Sequence, residues 1–124
     1  MKKSGFVVLA LAGGLILFAA FIRPNGFNAQ DPPKGIPDSV WATLETSCYD
    51  CHSNDGNGMA KVKMNLDKWD EYAPDKQMAK AQDICEVMGK GAMPPSKYRI
   101  NNPDAVPTPE SITRICAWVH QKAR

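Results

Sequence analysis

Two cysteines and a histidine stand together in the segment Cys48-Tyr49-Asp50-Cys51-His52. This C-x-x-C-H spacing is the attachment signature of c-type haem. Thiols at i and i+3 at the end of a helix face the same side and match the two vinyl groups of a haem. The imidazole that follows is then held against the iron as its proximal ligand. The segment predicts one covalent haem c bound through Cys48, Cys51 and His52.

Two other uses of paired cysteines fit the sequence less well. A structural zinc site needs four nitrogen or sulfur ligands, and His52 is the only further ligand adjacent to these cysteines in the sequence. Thioredoxin-like chemistry needs a C-x-x-C at a strand–helix junction, whereas the surrounding pattern is helical. Haem attachment is therefore the preferred interpretation.

The distal ligand of the iron decides the function. The candidates are Met59, Met64, Met78, Met88, Met93 and His120. Met93 precedes Pro94 and Pro95, which restrict the backbone and produce a stiff loop able to present a thioether. Met78 and Met88 fall on the inner face of a predicted helix, where core packing is the ordinary role. We expect Met93 to be the distal ligand, and a packing methionine in a loop is the alternative.

His/Met ligation fills both axial positions and leaves no site for oxygen or peroxide, so the expected role is transfer of single electrons rather than catalysis. An open or displaceable distal site would instead indicate a haem enzyme or a sensor. A third possibility is a haem subunit fixed in a larger respiratory complex. The sequence does not separate this possibility from a free electron carrier, and the redox partner proteins are not identified.

The remaining cysteines, Cys85 and Cys116, fall on the inner faces of two predicted helices. In an oxidising compartment they would pair and tie these helices together. Two buried free thiols that act as small apolar residues are the alternative.

The N-terminus predicts a membrane anchor. Residues 5–22 carry no charge and follow Lys2 and Lys3, and at 1.5 Å per residue such a helix is ~27 Å long, close to the thickness of a bilayer core. The flanking lysines favour an N-in orientation. We therefore expect residues 1–22 to be a single-pass anchor in the inner membrane, with the rest in the periplasm. A cleaved signal peptide is the alternative, and it exports the domain equally.

Behind the anchor, residues 23–37 are rich in proline and glycine and predict a linker. Residues 38–124 predict an all-α domain of the small cytochrome c-like type. Asp38 or Ser39 is expected to cap its first helix, a second long helix runs from Asp75 to Gly89, and Thr108 and Pro109 begin the last one. A short amphipathic piece covers residues 66–72. No stretch alternates cleanly enough to predict a β-sheet.

Composition excludes several classes of function. Fifteen Lys and Arg against thirteen Asp and Glu give a net charge of +2, far from the basic excess of nucleic-acid binders. Lys2 and Lys3 lie in the anchor and Arg23 directly follows it, so the domain itself is not basic. A chain of 124 residues is also too short for two domains around a large substrate cavity.

The chain resembles class I cytochromes c, and more closely a short haem-binding domain family common in Bacteroidetes-type bacteria. The segments that carry the resemblance are Ile36-Pro37, Ser47-Cys48-Tyr49-Asp50-Cys51-His52-Ser53, Asn65-Leu66 with Trp69, Ile84-Cys85-Glu86, Met93-Pro94-Pro95 with Tyr98, Pro103-Asp104-Ala105 and Ile115-Cys116-Ala117-Trp118. The resemblance implies one covalent haem with His52 proximal and Met93 distal. The chain departs from it at Asn102, where many relatives have histidine, and in the Gly- and Asp-rich residues 54–58.

Overall fold

The computed structural model describes residues 30–124, which fold into helices joined by loops, with no β-strand among them. The α-helices are α1 (Asp38–Ser47), α2 (Tyr49–His52), α3 (Gly58–Lys63), α4 (Pro74–Gly89), α5 (Ser96–Asn101) and α6 (Pro109–Lys122). Two 3-10 helices, η1 (Leu66–Glu71) and η2 (Pro103–Ala105), complete the described part. The all-α fold class predicted for the domain is confirmed.

The predicted anchor, residues 1–22, lies outside the described residues, as do residues 23–29 of the predicted linker. Within residues 30–124, none of the helices combines the length and the apolar character that a membrane span needs.

Helices α1, α4 and α6 form the core, with α6 packed against both of the others. Its largest fully buried side chains are Trp69, Leu44, Leu66, Ile115 and Val40. Removing such side chains from water is the main favourable contribution to folding, at roughly 25 cal/mol per Å² of apolar surface. The helices therefore take their places because each buries one apolar face against this centre.

Helix α1 begins at Asp38, so Asp38 is the first helical residue and not the N-cap. Pro37 occupies the N-cap, and no side chain caps the helix. The carbonyl of Pro37 accepts hydrogen bonds from the backbone N–H groups of Val40 and Trp41, and the carboxylate of Asp38 lies at the positive end of the helix dipole. The predicted cap by Asp38 or Ser39 is therefore wrong, and the helix buries Val40 and Leu44.

Helix α4 ends in a glycine-dependent turn that directs the chain towards Met93. Gly91 has a φ of 66°, which favours glycine because it has no Cβ. The N–H of Gly91 donates to Met88 O, and the N–H of Ala92 donates to Val87 O. These two bonds form a Schellman motif, which explains why the helix stops before the Met93 loop.

Helix α6 begins as the sequence predicts. The Thr108 hydroxyl accepts a hydrogen bond of 3.2 Å from Ser111 N, and Pro109 is the first helical residue. A disulfide between Cys85 and Cys116 joins α4 to α6, with a Cα–Cα distance of 5.1 Å.

The described end of the predicted linker, residues 30–37, lies along the domain. The indole Nε1 of Trp118 donates to Gly35 O at 3.1 Å, and that of Trp41 donates to Gln30 O at 2.8 Å. Ile36 is buried in the core. The contacts of the folded domain therefore begin before the predicted boundary at residue 38.

Two short helices, α3 and α5, were not predicted. Asn57 caps α3 by accepting hydrogen bonds from the N–H groups of Met59 and Ala60, a signal that the residue type does offer. Each helix has six residues, fewer than two full turns, so no apolar periodicity can develop in the sequence.

Candidate functional site

A cavity of about 480 Å³ opens between the C-x-x-C-H segment, α4 and the loop that carries Met93. Its volume lies within the range of small-molecule and cofactor sites, roughly 300–1,000 Å³. The wall is formed by Cys48, His52, Lys63, Met64, Lys80, Asp83, Ile84, Glu86, Val87, Met88 and Met93. Three residues predicted from the sequence, Cys48, His52 and Met93, are thus brought to one cavity.

The end of α1 continues directly into the C-x-x-C-H segment, residues 48–52. Cys48 N donates to Leu44 O at 2.9 Å, and His52 N donates to Cys48 O at 2.9 Å. The segment is therefore a single helical turn that directly follows the buried end of α1. Cys51 is half-buried and lies outside the set of residues that line the cavity, and the sulfur atoms of Cys48 and Cys51 are not joined to each other.

Burial, and to a smaller extent the neighbouring Cys51, raise the pKa of the Cys48 thiol to about 12. Residues 30–124 contain no cluster of three His, Cys, Asp or Glu side chains arranged for a metal ion, which disfavours the zinc interpretation of the motif.

The ring of His52 is oriented by the backbone of Met64. Nδ1 of His52 lies 2.9 Å from Met64 O, and because a carbonyl oxygen only accepts, Nδ1 carries the proton and donates. The neutral imidazole then has its lone pair on Nε2, which is the arrangement of a histidine that binds iron. Sequence reasoning identified His52 but did not find its partner.

Asp67 binds residues within and directly after the C-x-x-C-H segment. Its Oδ1 accepts a hydrogen bond from the Tyr49 hydroxyl, and its Oδ2 accepts one of 2.6 Å from Asn54 N. Asn65 adds a bond of 2.9 Å from its Nδ2 to the side-chain oxygen of Asn54. The residues before and after Cys51 and His52 are therefore tied to η1. The hydrogen bond to Asp67, followed by burial, raises the pKa of Tyr49 to about 12.

Gly56 allows the loop after His52 to pass close to the backbone of the C-x-x-C-H segment. A Cβ at this position would lie 2.3 Å from Cys51 O, a separation that no side chain tolerates. The N–H of Gly56 donates to Ser53 O at 3.1 Å. Residues 54–58 depart from the family pattern, and the need for glycine at position 56 is steric.

Met93 lies at the edge of the cavity with 40% of its surface exposed. Its N–H donates to Val87 O at 3.3 Å, and its peptide bond to Pro94 is cis. Met64 and Met88 also line the cavity, but both are buried. Met64, one of the six candidates from the sequence, is therefore a second methionine in the cavity wall besides Met93 that lies outside α4.

The other ligand candidates lie elsewhere. Met59 is 75% exposed on α3, Met78 packs against the core, and His120 is exposed near the end of α6. The distal role of Met93 remains a prediction.

Several aromatic residues support the site from outside the cavity. Trp41 of α1 and Trp118 of α6 are buried. The ring of Trp41 packs on Tyr49 with a centroid distance of 5.9 Å, and that of Trp118 packs on Trp69 at 6.1 Å. Trp69 Nε1 is buried without a hydrogen-bond partner among residues 30–124. The Tyr98 hydroxyl donates to Asp50 Oδ2 at 2.6 Å.

An all-helical fold in which a C-x-x-C-H segment and a methionine loop share one cavity defines a small haem-binding domain. In agreement with this class, residues 57–121, more than half of the chain, match the haem-binding domain family. The chain belongs to that family. The match begins after His52 and covers α3 to most of α6, with Met93 inside it. No match was found among curated proteins or among solved structures.

Proposed function

We propose that the protein is a monohaem c-type cytochrome that transfers single electrons. In this proposal one haem is attached covalently through Cys48 and Cys51, with His52 as the proximal ligand and Met93 as the distal ligand. The observation that carries it is the cavity itself, because Cys48, His52 and Met93 line the same space although Met93 is remote from the other two in the sequence.

The residues present fit such a group. When bound, haem supplies the one-electron iron couple. His52 offers the unprotonated Nε2 that the hydrogen bond to Met64 O leaves free. Ile84, Val87 and Met88 provide an apolar wall along α4, which excludes water and favours a planar apolar ligand. The thioether of Met93 is a neutral, soft donor, and such a ligand raises the reduction potential relative to a second histidine.

The lining of the cavity favours electron transfer over catalysis. Most of its surface is apolar, and of its four Lys, Asp and Glu residues two, Lys80 and Asp83, form an ion pair with each other at 3.5 Å. General acid–base chemistry needs a titratable group held near the reacting atoms, and occupied axial positions would leave no place for a substrate. We therefore propose an electron-transfer protein rather than an enzyme.

The proposed location is the periplasmic side of the inner membrane, with residues 1–22 as the anchor. The Cys85–Cys116 disulfide supports an oxidising compartment. Its partners would be redox proteins, met either by diffusion along the membrane or as fixed neighbours in a larger respiratory complex. The modest net charge of +2 gives no reason to propose nucleic acid as a partner.

The spectrum of the ferric protein tests the ligand set. We expect the weak long-wavelength band of methionine sulfur bound to ferric haem, and we expect Met93→Ala to abolish it. Met59→Ala is the matched control, because that side chain is 75% exposed on α3. Loss of the band in Met64→Ala alone would transfer the role to Met64. A high-spin wild-type spectrum with ready binding of cyanide would contradict the proposal and favour a haem enzyme or sensor.

Extraction of haem under denaturing acid conditions tests covalent attachment. The wild-type protein should retain its haem, whereas Cys48→Ala and Cys51→Ala should each retain less and show the shifted pyridine haemochrome spectrum of a single thioether. Complete release of haem from the wild-type protein would show that the motif does not attach it.

A further inference from the structure

The two sides of the cavity come from segments that are far apart in the sequence. The C-x-x-C-H segment directly follows α1, whereas Met93 lies in the loop that joins α4 to α5. A function that depends on both sides therefore depends on what holds the second segment, residues 91–102, against the first.

Burial holds this segment only weakly. Pro94 is the only buried residue between Gly91 and Asn102, and α5 buries none of its side chains. The backbone N–H groups of Ala92 and Met93 both donate back to Val87 O at the end of α4. These bonds fix where the loop begins. At its far end α5 buries none of its side chains, and the chain is next buried at Ala105 of η2.

One hydrogen bond anchors that far end. The Tyr98 hydroxyl donates to Asp50 Oδ2 at 2.6 Å. Within the described range, it is the only side-chain hydrogen bond that joins residues 91–102 to another part of the chain, since the bonds of Asn101 and Asn102 are made inside α5. Asp50 stands between Cys48 and Cys51, so the bond ends in the haem-attachment segment itself.

The chemistry of this pair suits a persistent contact. A hydroxyl that donates to a carboxylate forms a charge-assisted bond, which is shorter and stronger than a neutral one. Burial, and then the bond to Asp50, raise the pKa of Tyr98 to about 12. Tyr98 is half-buried, and its hydroxyl therefore remains a donor across the neutral range.

We propose that the Tyr98–Asp50 hydrogen bond is a latch that keeps the Met93 loop closed against the C-x-x-C-H segment and thereby limits access of small ligands to the Met93 side of the iron. Tyr98 and Asp50 are positioning residues in this proposal, because neither lines the cavity. The effect on ligand access rests on Met93 as the distal ligand, as proposed above. The closure of the loop itself does not.

Amide hydrogen exchange and ligand binding in the haem-loaded protein test the latch. Loss of a hydrogen bond to a charged group is expected to raise the open population of the loop about tenfold or more. Tyr98→Phe should therefore accelerate exchange of the amides in residues 91–102 by about that factor, and binding of imidazole to the ferric protein by a similar factor.

Thr113→Val is the control. It also removes a side-chain hydroxyl from a hydrogen bond, in this case the exposed one that Thr113 Oγ1 donates to Pro109 O at 2.9 Å in α6. This control should leave exchange in residues 91–102 near the wild-type rate, which separates the latch from a general loss of stability.

Variants of Asp50 complete the test. Asp50→Ala should reproduce the effect of Tyr98→Phe, and the double variant should be no faster than either single one, because both remove the same bond. Asp50→Asn keeps an oxygen acceptor but makes the bond neutral, so exchange of residues 91–102 should lie between that of the wild-type protein and that of Asp50→Ala.

Unchanged exchange of residues 91–102 in Tyr98→Phe would overturn the latch. If exchange rises but the wild-type protein lacks the methionine–iron band, the latch holds the loop and the proposed ligation is wrong. If the band is present and imidazole binding is unaffected by Tyr98→Phe, control of ligand access by the latch is refuted.

Discussion

Nδ1 of His52 and the carbonyl oxygen of Met64 are joined by a hydrogen bond of 2.9 Å. The bond is made to the backbone, so it survives any substitution of the Met64 side chain that leaves the chain in place. What positions this carbonyl is the next residue, Asn65, which is buried and bonded to Asn54 and Tyr72. The orientation of the imidazole thus depends on a polar network around η1.

Asp67 is the centre of that network, and its removal should destabilise the protein. Asp67→Ala leaves the half-buried Tyr49 hydroxyl and the exposed Asn54 N–H without their acceptor, and loss of the partly buried bond to a charged group costs about 1.5–3 kcal/mol. We expect a lower urea midpoint and a lower yield of haem-loaded protein. Asp55→Ala, which removes an exposed carboxylate from the same loop, serves as the control. Equal midpoints for the two variants would contradict the role of Asp67.

Gly56 should tolerate no side chain. In Gly56→Ala the new Cβ would lie 2.3 Å from Cys51 O, so the loop must move away from the C-x-x-C-H segment. We expect a loss of about 2 kcal/mol or more in the free energy of unfolding, measured by urea denaturation.

Gly58 provides a matched comparison for this substitution. It begins α3 and has open space where a Cβ would stand. Gly58→Ala should therefore be neutral or stabilising by about 0.4–1 kcal/mol, because alanine restricts the unfolded chain. Similar losses for both variants would show that the clash at Gly56 is not the cause.

The disulfide should contribute substantially to stability. Cys85 and Cys116 close a loop between residues separated by 31 positions, and such crosslinks typically stabilise by about 2–4 kcal/mol. The double variant Cys85→Ala/Cys116→Ala should lose that amount in urea unfolding, and reduction of the wild-type protein should lose a similar amount.

Intact mass after alkylation checks the same bond directly. The wild-type protein should gain alkyl groups at these two cysteines only when reductant is added first. Alkylation without reductant would show free thiols and contradict the disulfide.

High pH should weaken the fold through two tyrosines. The pKa values of Tyr49 and Tyr98 are raised to about 12 in the folded protein, whereas an unfolded tyrosine titrates near 10. Their hydrogen bonds to Asp67 and Asp50 therefore contribute fully below about pH 10, and the contribution is lost as the pH rises towards 12.

The ultraviolet absorbance of tyrosinate measures this directly. Two tyrosines should ionise well above pH 10 in the folded protein, and Tyr49→Phe and Tyr98→Phe should each remove one of them. In urea unfolding between pH 10 and 12, each variant should also show a shallower fall in stability than the wild-type protein. Ionisation of all tyrosines near pH 10 would contradict both hydrogen bonds.

The features that the sequence predicts correctly are local ones. Helices α4 and α6 have several turns, so their inner faces repeat often enough to be recognised. The start of α6 is set by Thr108 and Pro109, and the end of α4 by Gly91, each acting within a few residues. The start of α1 was missed by one residue because Pro37 serves as the N-cap without any side-chain bond.

By itself the sequence determined that the described domain is all-helical and that Cys48, Cys51 and His52 stand at haem-attachment spacing, because spacing and periodicity are properties of adjacent residues. Only the tertiary structure decided that Met93 shares a cavity with His52, that Met64 O orients the imidazole, and that Tyr98 reaches Asp50. These contacts join residues from different helices and loops. Which residues meet depends on the path of the chain around a common core. The packing of α1, α4 and α6 together determines that path, and no short stretch of residues does so alone.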